Sequence, residues 1–328
     1  MIILQNQKYK DWLNAGMYDG CITFFTPTYN RASFLYRIYD CLKSQTNKHF
    51  VWILICDGSV DNTLEVAKEL LAREDFPFLF VYKDNGGKHS AFKIALENTV
   101  SEFFVCMDDD DKYKPEAADT FLREWGRITK EGRVEEIGAI RTLAQRADGS
   151  IVSNVPMAMG QREDCSSLER NYNMHIIQEN WTCYRTAALK AVDIFPKDYW
   201  LSDKHTFFLE GIWQGRFARK YKCRYYNVVL REYTDDAENS LIRAKKSRKH
   251  YLNMFINNKM LLDEQLDYIK KNPVDMIKKI LLVGVLRNKL SLSLKELLRN
   301  TNSFFLKGSF ILILPFCVLY PWPKIEKN

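Results

Sequence analysis

Phe103-Phe104-Val105-Cys106-Met107-Asp108-Asp109-Asp110-Asp111 places an apolar run directly ahead of four consecutive carboxylates. The apolar part has the composition of a short buried strand, and such a strand ending in acids puts several like charges at one sheet edge. Their repulsion costs free energy unless something cationic sits among them. Mg²⁺ or Mn²⁺ suits that place, because hard divalent ions prefer carboxylate oxygen and bridge it to phosphate. The plainer alternative is a solvated acidic loop ahead of the helix expected to begin near Pro115.

Working outward, the same kind of run recurs at 22–25 (Ile-Thr-Phe-Phe), 51–56 (Val-Trp-Ile-Leu-Ile-Cys) and 78–82 (Phe-Leu-Phe-Val-Tyr). Between these runs, 32–44, 62–72 and 88–99 carry apolar residues at helical spacing, with Leu64, Ala67, Leu70 and Leu71 on one face. Strand–helix alternation of this kind predicts a mostly parallel α/β sheet flanked by helices. In such sheets ligands bind beyond the carboxyl ends of the strands, and every polar motif here follows a strand.

The first run exits into Thr26-Pro27-Thr28-Tyr29-Asn30-Arg31, where Pro27 stiffens a turn and Tyr29 offers an aromatic face. The second exits into Cys56-Asp57-Gly58-Ser59-Val60-Asp61-Asn62-Thr63. Gly58 permits a tight turn there, and Asp57 is an acid able to accept hydrogen bonds from a base edge or ribose, or simply to cap the next helix. The third exits into Lys83-Asp84-Asn85-Gly86-Gly87-Lys88-His89-Ser90, a paired glycine before a helix start, suited to a close approach of phosphate. It is not a GxxxxGK[ST] loop, which disfavours a nucleoside-triphosphate hydrolase.

The order T-P-T-Y-N-R, D-G-S-x-D-N-T, N-G-G-K-H-S-A and D-D-D-D-x-x-x-P resembles family 2 glycosyltransferases of the GT-A, or nucleotide-diphospho-sugar transferase, fold. The resemblance covers residues 20–235 and is closest to bacterial capsule and exopolysaccharide enzymes. It implies a nucleotide-sugar donor, a UDP-sugar, held by Thr26, Pro27, Tyr29, Arg31, Asp57, Asn85, Gly87, Lys88, Asp108 and Asp109. It implies a divalent metal, Mg²⁺ or Mn²⁺, on Asp108 and Asp110, and Asp111 matches the acid that follows them. Cys56 stands where the family usually has a second acid.

Further along, Glu210-Gly211-Ile212-Trp213-Gln214-Gly215-Arg216 resembles the family's second-half signature, in which an acid six residues before an arginine is the general base. Glu210 is the residue the resemblance assigns, with Asp203 and Glu179 as competing acids; Trp213 sits one place from its usual position. Inverting transfer to a hydroxyl of a saccharide or lipid-linked saccharide is the reaction implied. Two other classes compete: a sugar nucleotidyltransferase, which would place a glycine-rich loop after the first strand, and a non-catalytic polysaccharide-assembly protein. Residues 26–31 hold no glycine.

The chain as a whole bounds these readings. Its 328 residues, 46% hydrophobic, are enough for a large catalytic core with an appendage. The organisation expected is an N-terminal extension over 1–19, a catalytic domain over 20–240 and a helical, membrane-associating region over 241–328. Net charge is +7, and no nucleic-acid reading motif accompanies it, so no nucleic-acid partner is expected. The eight cysteines form no CxxC pair, and no secretory signal is read at the start, so a reducing cytoplasmic setting is expected. Past 240, the cluster Arg243, Lys245, Lys246, Arg248 and Lys249 precedes helical patterns, and 310–320 is a solid apolar run broken by Pro315. Eleven residues are too few to span a bilayer, which takes roughly twenty. The run, with Trp322 behind it, is therefore expected to make peripheral contact on the inner face of the cell membrane. Oligomeric state is not legible.

Overall fold

The computed structural model describes residues 1–156, 158–194, 199–202, 206, 208–234 and 247–319. The strands are β1 (Ile2–Gln5), β2 (Ile22–Thr28), β3 (Phe50–Asp57), β4 (Phe78–Lys83), β5 (Phe103–Cys106), β6 (Lys112–Tyr113), β7 (Ile137–Arg146), β8 (Arg162–Cys165), β9 (Asn180–Arg185) and β10 (Lys222–Tyr233). The helices are α1 (Gln7–Ala15), α2 (Leu35–Lys43), α3 (Thr63–Ala72), α4 (Lys88–Asn98), α5 (Ala117–Lys130), α6 (Ser167–Tyr172), α7 (Thr186–Lys190) and α8 (Glu210–Ala218). Beyond them lie α9 (Arg248–Ile269), α10 (Pro273–Lys289), α11 (Leu294–Arg299), α12 (Phe304–Leu312) and α13 (Leu314–Leu319).

Among the described residues the strands join one sheet in the order β1-β4-β3-β2-β5-β9-β7-β10-β6, with β8 also on β10. The four central strands of the first half, β4, β3, β2 and β5, are mutually parallel. Every residue of β3 is buried, as expected of a parallel strand covered on both faces. The second half departs from the parallel pattern: β9 runs antiparallel to both β5 and β7, and β6 and β8 run antiparallel to β10.

Two stretches differ from the sequence expectation. Residues 1–19 are no simple extension, because β1 pairs with β4 as the sheet's edge strand and Asn6 caps α1 while holding Phe76 and Phe78. The polar stretch 141–180, which reads as an irregular loop, contributes the end of β7, all of β8 and α6.

The chain divides into two units: Met1–Ser167, Ile176–Asp193 and Phe217–Glu238 form one, and Leu168–His175, Ile194–Arg216 and Asn239–Asn328 the other. The first holds the sheet, with an aromatic-rich core that includes Phe24, Trp52, Phe78, Phe121 and Trp181. The second packs Ile212, Phe255, Ile256, Met260, Val283, Leu286, Leu306 and Phe310 together. In it, Asn272 caps α10 ahead of Pro273 at the first helical position. Gly284 lets α13 close on α10, since a Cβ there would lie 2.6 Å from the Cys317 sulfur. No helix among the described residues is long and apolar enough to cross a membrane.

Candidate active site

The carboxyl ends of β2, β3, β4 and β5 deliver the sequence motifs to one edge of the first unit. At the end of β3, Asp57 is buried, and its carboxylate accepts from Gly86 N (2.9 Å), Gly87 N (2.7 Å) and the Lys83 ammonium. The Asn85 side chain donates to the Asp57 carbonyl at 2.9 Å. Asp57 thus shapes the glycine loop itself, a task its motif did not reveal. Gly58 has a φ of 78°, and a Cβ on it would sit 2.6 Å from Asn85 N, so both backbone conformation and space demand glycine there. Gly87, at a φ of 86°, turns the chain into α4 and leaves Lys88 as its first residue.

The loop after β2 is tied to the loop after β3. Asn30 N donates to the Ser59 hydroxyl (2.9 Å), and the Asn30 side chain accepts from Val60 N (2.8 Å). Tyr29 is exposed and Pro27 half-buried, both open to a ligand. Thr26 is not: it is fully buried, and its hydroxyl accepts from the Trp52 indole at 3.0 Å. That corrects the expectation of a base contact for its side chain, because strand alternation turns it into the core.

The acid strip is already met by cations. Lys88 Nζ lies 2.8 Å from Asp108 Oδ1. One Arg31 nitrogen reaches both Asp109 (2.7 Å) and Asp110 (2.9 Å). Arg231, on β10, lies 2.6 Å from Asp111, 3.7 Å from Asp108 and 3.0 Å from Glu179. Arg37 donates to the Asp110 carbonyl at 2.6 Å. Thr234 adds its amide to Asp111 (3.1 Å) and its hydroxyl to the Asp110 carbonyl. Sequence reading missed Arg37, Arg231 and Thr234. The available signal for Arg231 was a charged residue inside the apolar strand sequence Val228-Val229-Leu230-Arg231.

These contacts split the four acids into two kinds. Burial raises the Asp109 carboxyl to about 6 against the pull of Arg31, and burial likewise raises Asp111 to about 6 against Arg231. Asp108 is held below the usual range, because Lys88 and Arg231 outweigh its burial. Asp108 and Asp110 are also the two with partly open side chains, at 31% and 25% exposure, against 4% for Asp109 and 1% for Asp111.

Among the described residues no three acids, histidines or cysteines form a group that would hold a metal by protein ligands alone. Two open carboxylates still fit Mg²⁺ or Mn²⁺, which commonly take one or two carboxylates and leave other positions to phosphate and water. Asp108 and Asp110 are the residues able to play that part.

Glu210 is the exposed first residue of α8 in the second unit, and Arg216 of the same helix is held by Glu264 at 2.6 and 2.8 Å. Gln265 fixes this helix from α9 by donating to the Gly211 carbonyl at 2.9 Å. Asp203 lies outside the described residues, as do Arg243, Lys245, Lys246 and Trp322.

The sheet edge thus gathers a glycine loop, an acid strip and basic side chains at its strand ends. Residues 23–152 match Glycosyl transferase family 2. That match makes residues 23–152 a family 2 glycosyltransferase domain. Glycosyltransferase GlyA of Streptococcus pneumoniae is 22% identical over 254 residues, covering 77% of this chain and 30% of GlyA. Hyaluronan synthase of Pasteurella multocida is 23% identical over 336 residues, covering 94% of this chain and 33% of that protein. The chain thus spans about a third of the length of the curated relatives it matches. Residues 1–349 of S. aureus TarS, solved in complex with UDP-GlcNAc, share the fold at a TM-score of 0.55 and 17% identity, over 90% of this chain and 80% of that one. The fold is therefore GT-A.

Proposed function

We propose that this protein transfers a sugar from a nucleotide-diphosphate donor, a UDP-sugar, to a hydroxyl of a saccharide or lipid-linked saccharide during surface polysaccharide synthesis. One observation carries the reading: four consecutive parallel strands bring Arg31, the Asp57-shaped glycine loop, Lys88 and two open carboxylates to a single edge. Tyr29 and Pro27 offer surface for a base, the start of α4 and Lys88 suit a diphosphate, and Asp108 and Asp110 take a divalent cation. That cation, when bound, offsets the charge developing on the departing diphosphate. Glu210 takes the acceptor hydroxyl's proton as the oxygen attacks the anomeric carbon from the face opposite the leaving group. A single displacement inverts the configuration.

The second unit is proposed to meet the inner face of the cell membrane. Phe304, Phe305, Ile311, Leu312 and Phe316 on α12 and α13 are exposed, with Lys295, Arg299 and Lys307 close in sequence. Phe310, which the apolar run suggested for this contact, is instead packed in the unit's core.

The deciding experiment incubates the protein with a panel of nucleotide sugars and candidate acceptors and measures released nucleotide. Acceptor-dependent release from one donor is the expected result. Pyrophosphate production from a sugar phosphate and a nucleoside triphosphate would instead make it a nucleotidyltransferase.

A further inference from the structure

We infer that Lys88 is a built-in counter-ion that makes divalent-cation binding depend on the nucleotide diphosphate, an inference resting on the donor and metal reading above. Three basic side chains pair with the acid strip, but they are not equally committed. Arg231 and Asp111 are 9% and 1% exposed, and Arg31 and Asp109 are 18% and 4% exposed. Lys88 and Asp108 are 32% and 31% exposed, at 2.8 Å. The two guanidinium pairs are therefore fixed parts of the fold, since separating a buried pair strands a charge. The ammonium pair is a half-solvated contact on a flexible stem, the kind worth least to keep.

Its position gives the weak pair a consequence. Asp108 is one of the two open carboxylates, so a divalent cation approaching it meets an ammonium on the same oxygen. Lys88 is also the first residue of α4, directly behind Gly86 and Gly87, whose amides are turned onto Asp57. An anionic diphosphate at the start of α4 offers the ammonium a second partner within reach of its stem. With the diphosphate present, Lys88 swings to phosphate and frees Asp108; without it, Lys88 holds Asp108 and the cation is repelled. Binding of the two ligands is then positively linked, and linkage is reciprocal. Arg31 and Arg231 stay with the buried Asp109 and Asp111 throughout; because Arg31 also lies 2.9 Å from Asp110 and Arg231 3.7 Å from Asp108, Lys88 supplies the movable part of the charge that opposes the cation, not all of it.

Mn²⁺ binding, read by the electron paramagnetic resonance of free Mn²⁺ with and without UDP, tests this directly. In the wild type UDP should tighten Mn²⁺ by a factor within the usual coupling range of about 5–150. In Lys88→Gln, Mn²⁺ alone should bind several-fold tighter, about fivefold for a half-exposed pair, and the tightening by UDP should shrink. Lys88→Arg, which keeps the charge, should behave like the wild type. Equal Mn²⁺ affinity with and without UDP in the wild type overturns the coupling, as does weaker Mn²⁺ binding by Lys88→Gln alone. Absence of Mn²⁺ binding in every protein, even with UDP, would instead sink the underlying metal reading.

Discussion

The two units stabilise charge in opposite ways. In the sheet unit, charge is concentrated at the strand ends, where Asp108 to Asp111 meet Arg31, Lys88 and Arg231. The helical unit buries mostly apolar side chains; among its described residues the Lys259 ammonium is deeply buried and is held by Asp263 and the Asn300 carbonyl. It leaves aromatic surface outside instead, on α12 and α13. On the proposed function, the first site, which would receive an anionic donor, benefits from preset, opposed charges, and the second surface, proposed to meet lipid, benefits from apolar area. The contrast predicts that mutations in the first unit change ligand affinity and turnover, and that mutations on the outer face of the second change only where the protein sits.

The largest effect should come from Asp110→Ala. Loss of an open carboxylate should lower transfer by roughly 10³-fold or more, given that metal charge stabilisation is worth several kcal/mol. Stability should change little, since Arg31 keeps Asp109; unfolding, or unchanged transfer, would remove Asp110 from the site. Next comes Arg231→Met, which strands the buried Asp111 and should cost about 3–5 kcal/mol of unfolding free energy, the scale for breaking a buried pair from one side. Adding Asp111→Asn should return much of that loss in a denaturant titration.

Glu210→Gln should lower turnover about 10²-fold while leaving donor affinity unchanged, because the amide keeps its size but accepts no proton. If Glu179→Gln is the variant that loses turnover, the proton goes to the first unit's acid instead. A smaller effect is expected from pH. Asp109 and Asp111 hold their protons to about 6 in the folded protein but only to about 4 once unfolded. Their contribution to stability is therefore complete below the lower value and is lost as pH rises through about 6. Asp109→Asn should flatten the decline of Tm between those values, measured without metal. Smallest in stability terms is Phe304→Ser with Phe305→Ser, expected within about 0.5 kcal/mol per exposed site, yet it should reduce cosedimentation with anionic liposomes. Unchanged pelleting would show that these rings do not meet lipid.

Much of the first unit was legible because its signals are short-range. Alternating apolar runs and helical spacing predicted β2 to β5 and α2 to α4, and Gly58 and Gly87 stand where φ is positive. The second half was less legible: β8, Arg-Glu-Asp-Cys, lies within polar sequence and owes its place to its neighbour β10 rather than to its own pattern. Thr26 shows the same limit within a motif, since the letters cannot say which face of β2 a side chain takes.

Taken alone, then, the sequence determined the strand–helix order, the turn chemistry at each strand end and the acid strip, because backbone preference and side-chain period act over a few residues. Only the tertiary structure decided what answers the acids. Arg31 comes from 78 residues before Asp109, and Arg231 from 120 residues after Asp111. No local rule couples positions so far apart; the sheet's strand order does, by setting the ends of β2, β5 and β10 toward the same acids, where opposite charges in a poorly solvated edge attract most strongly.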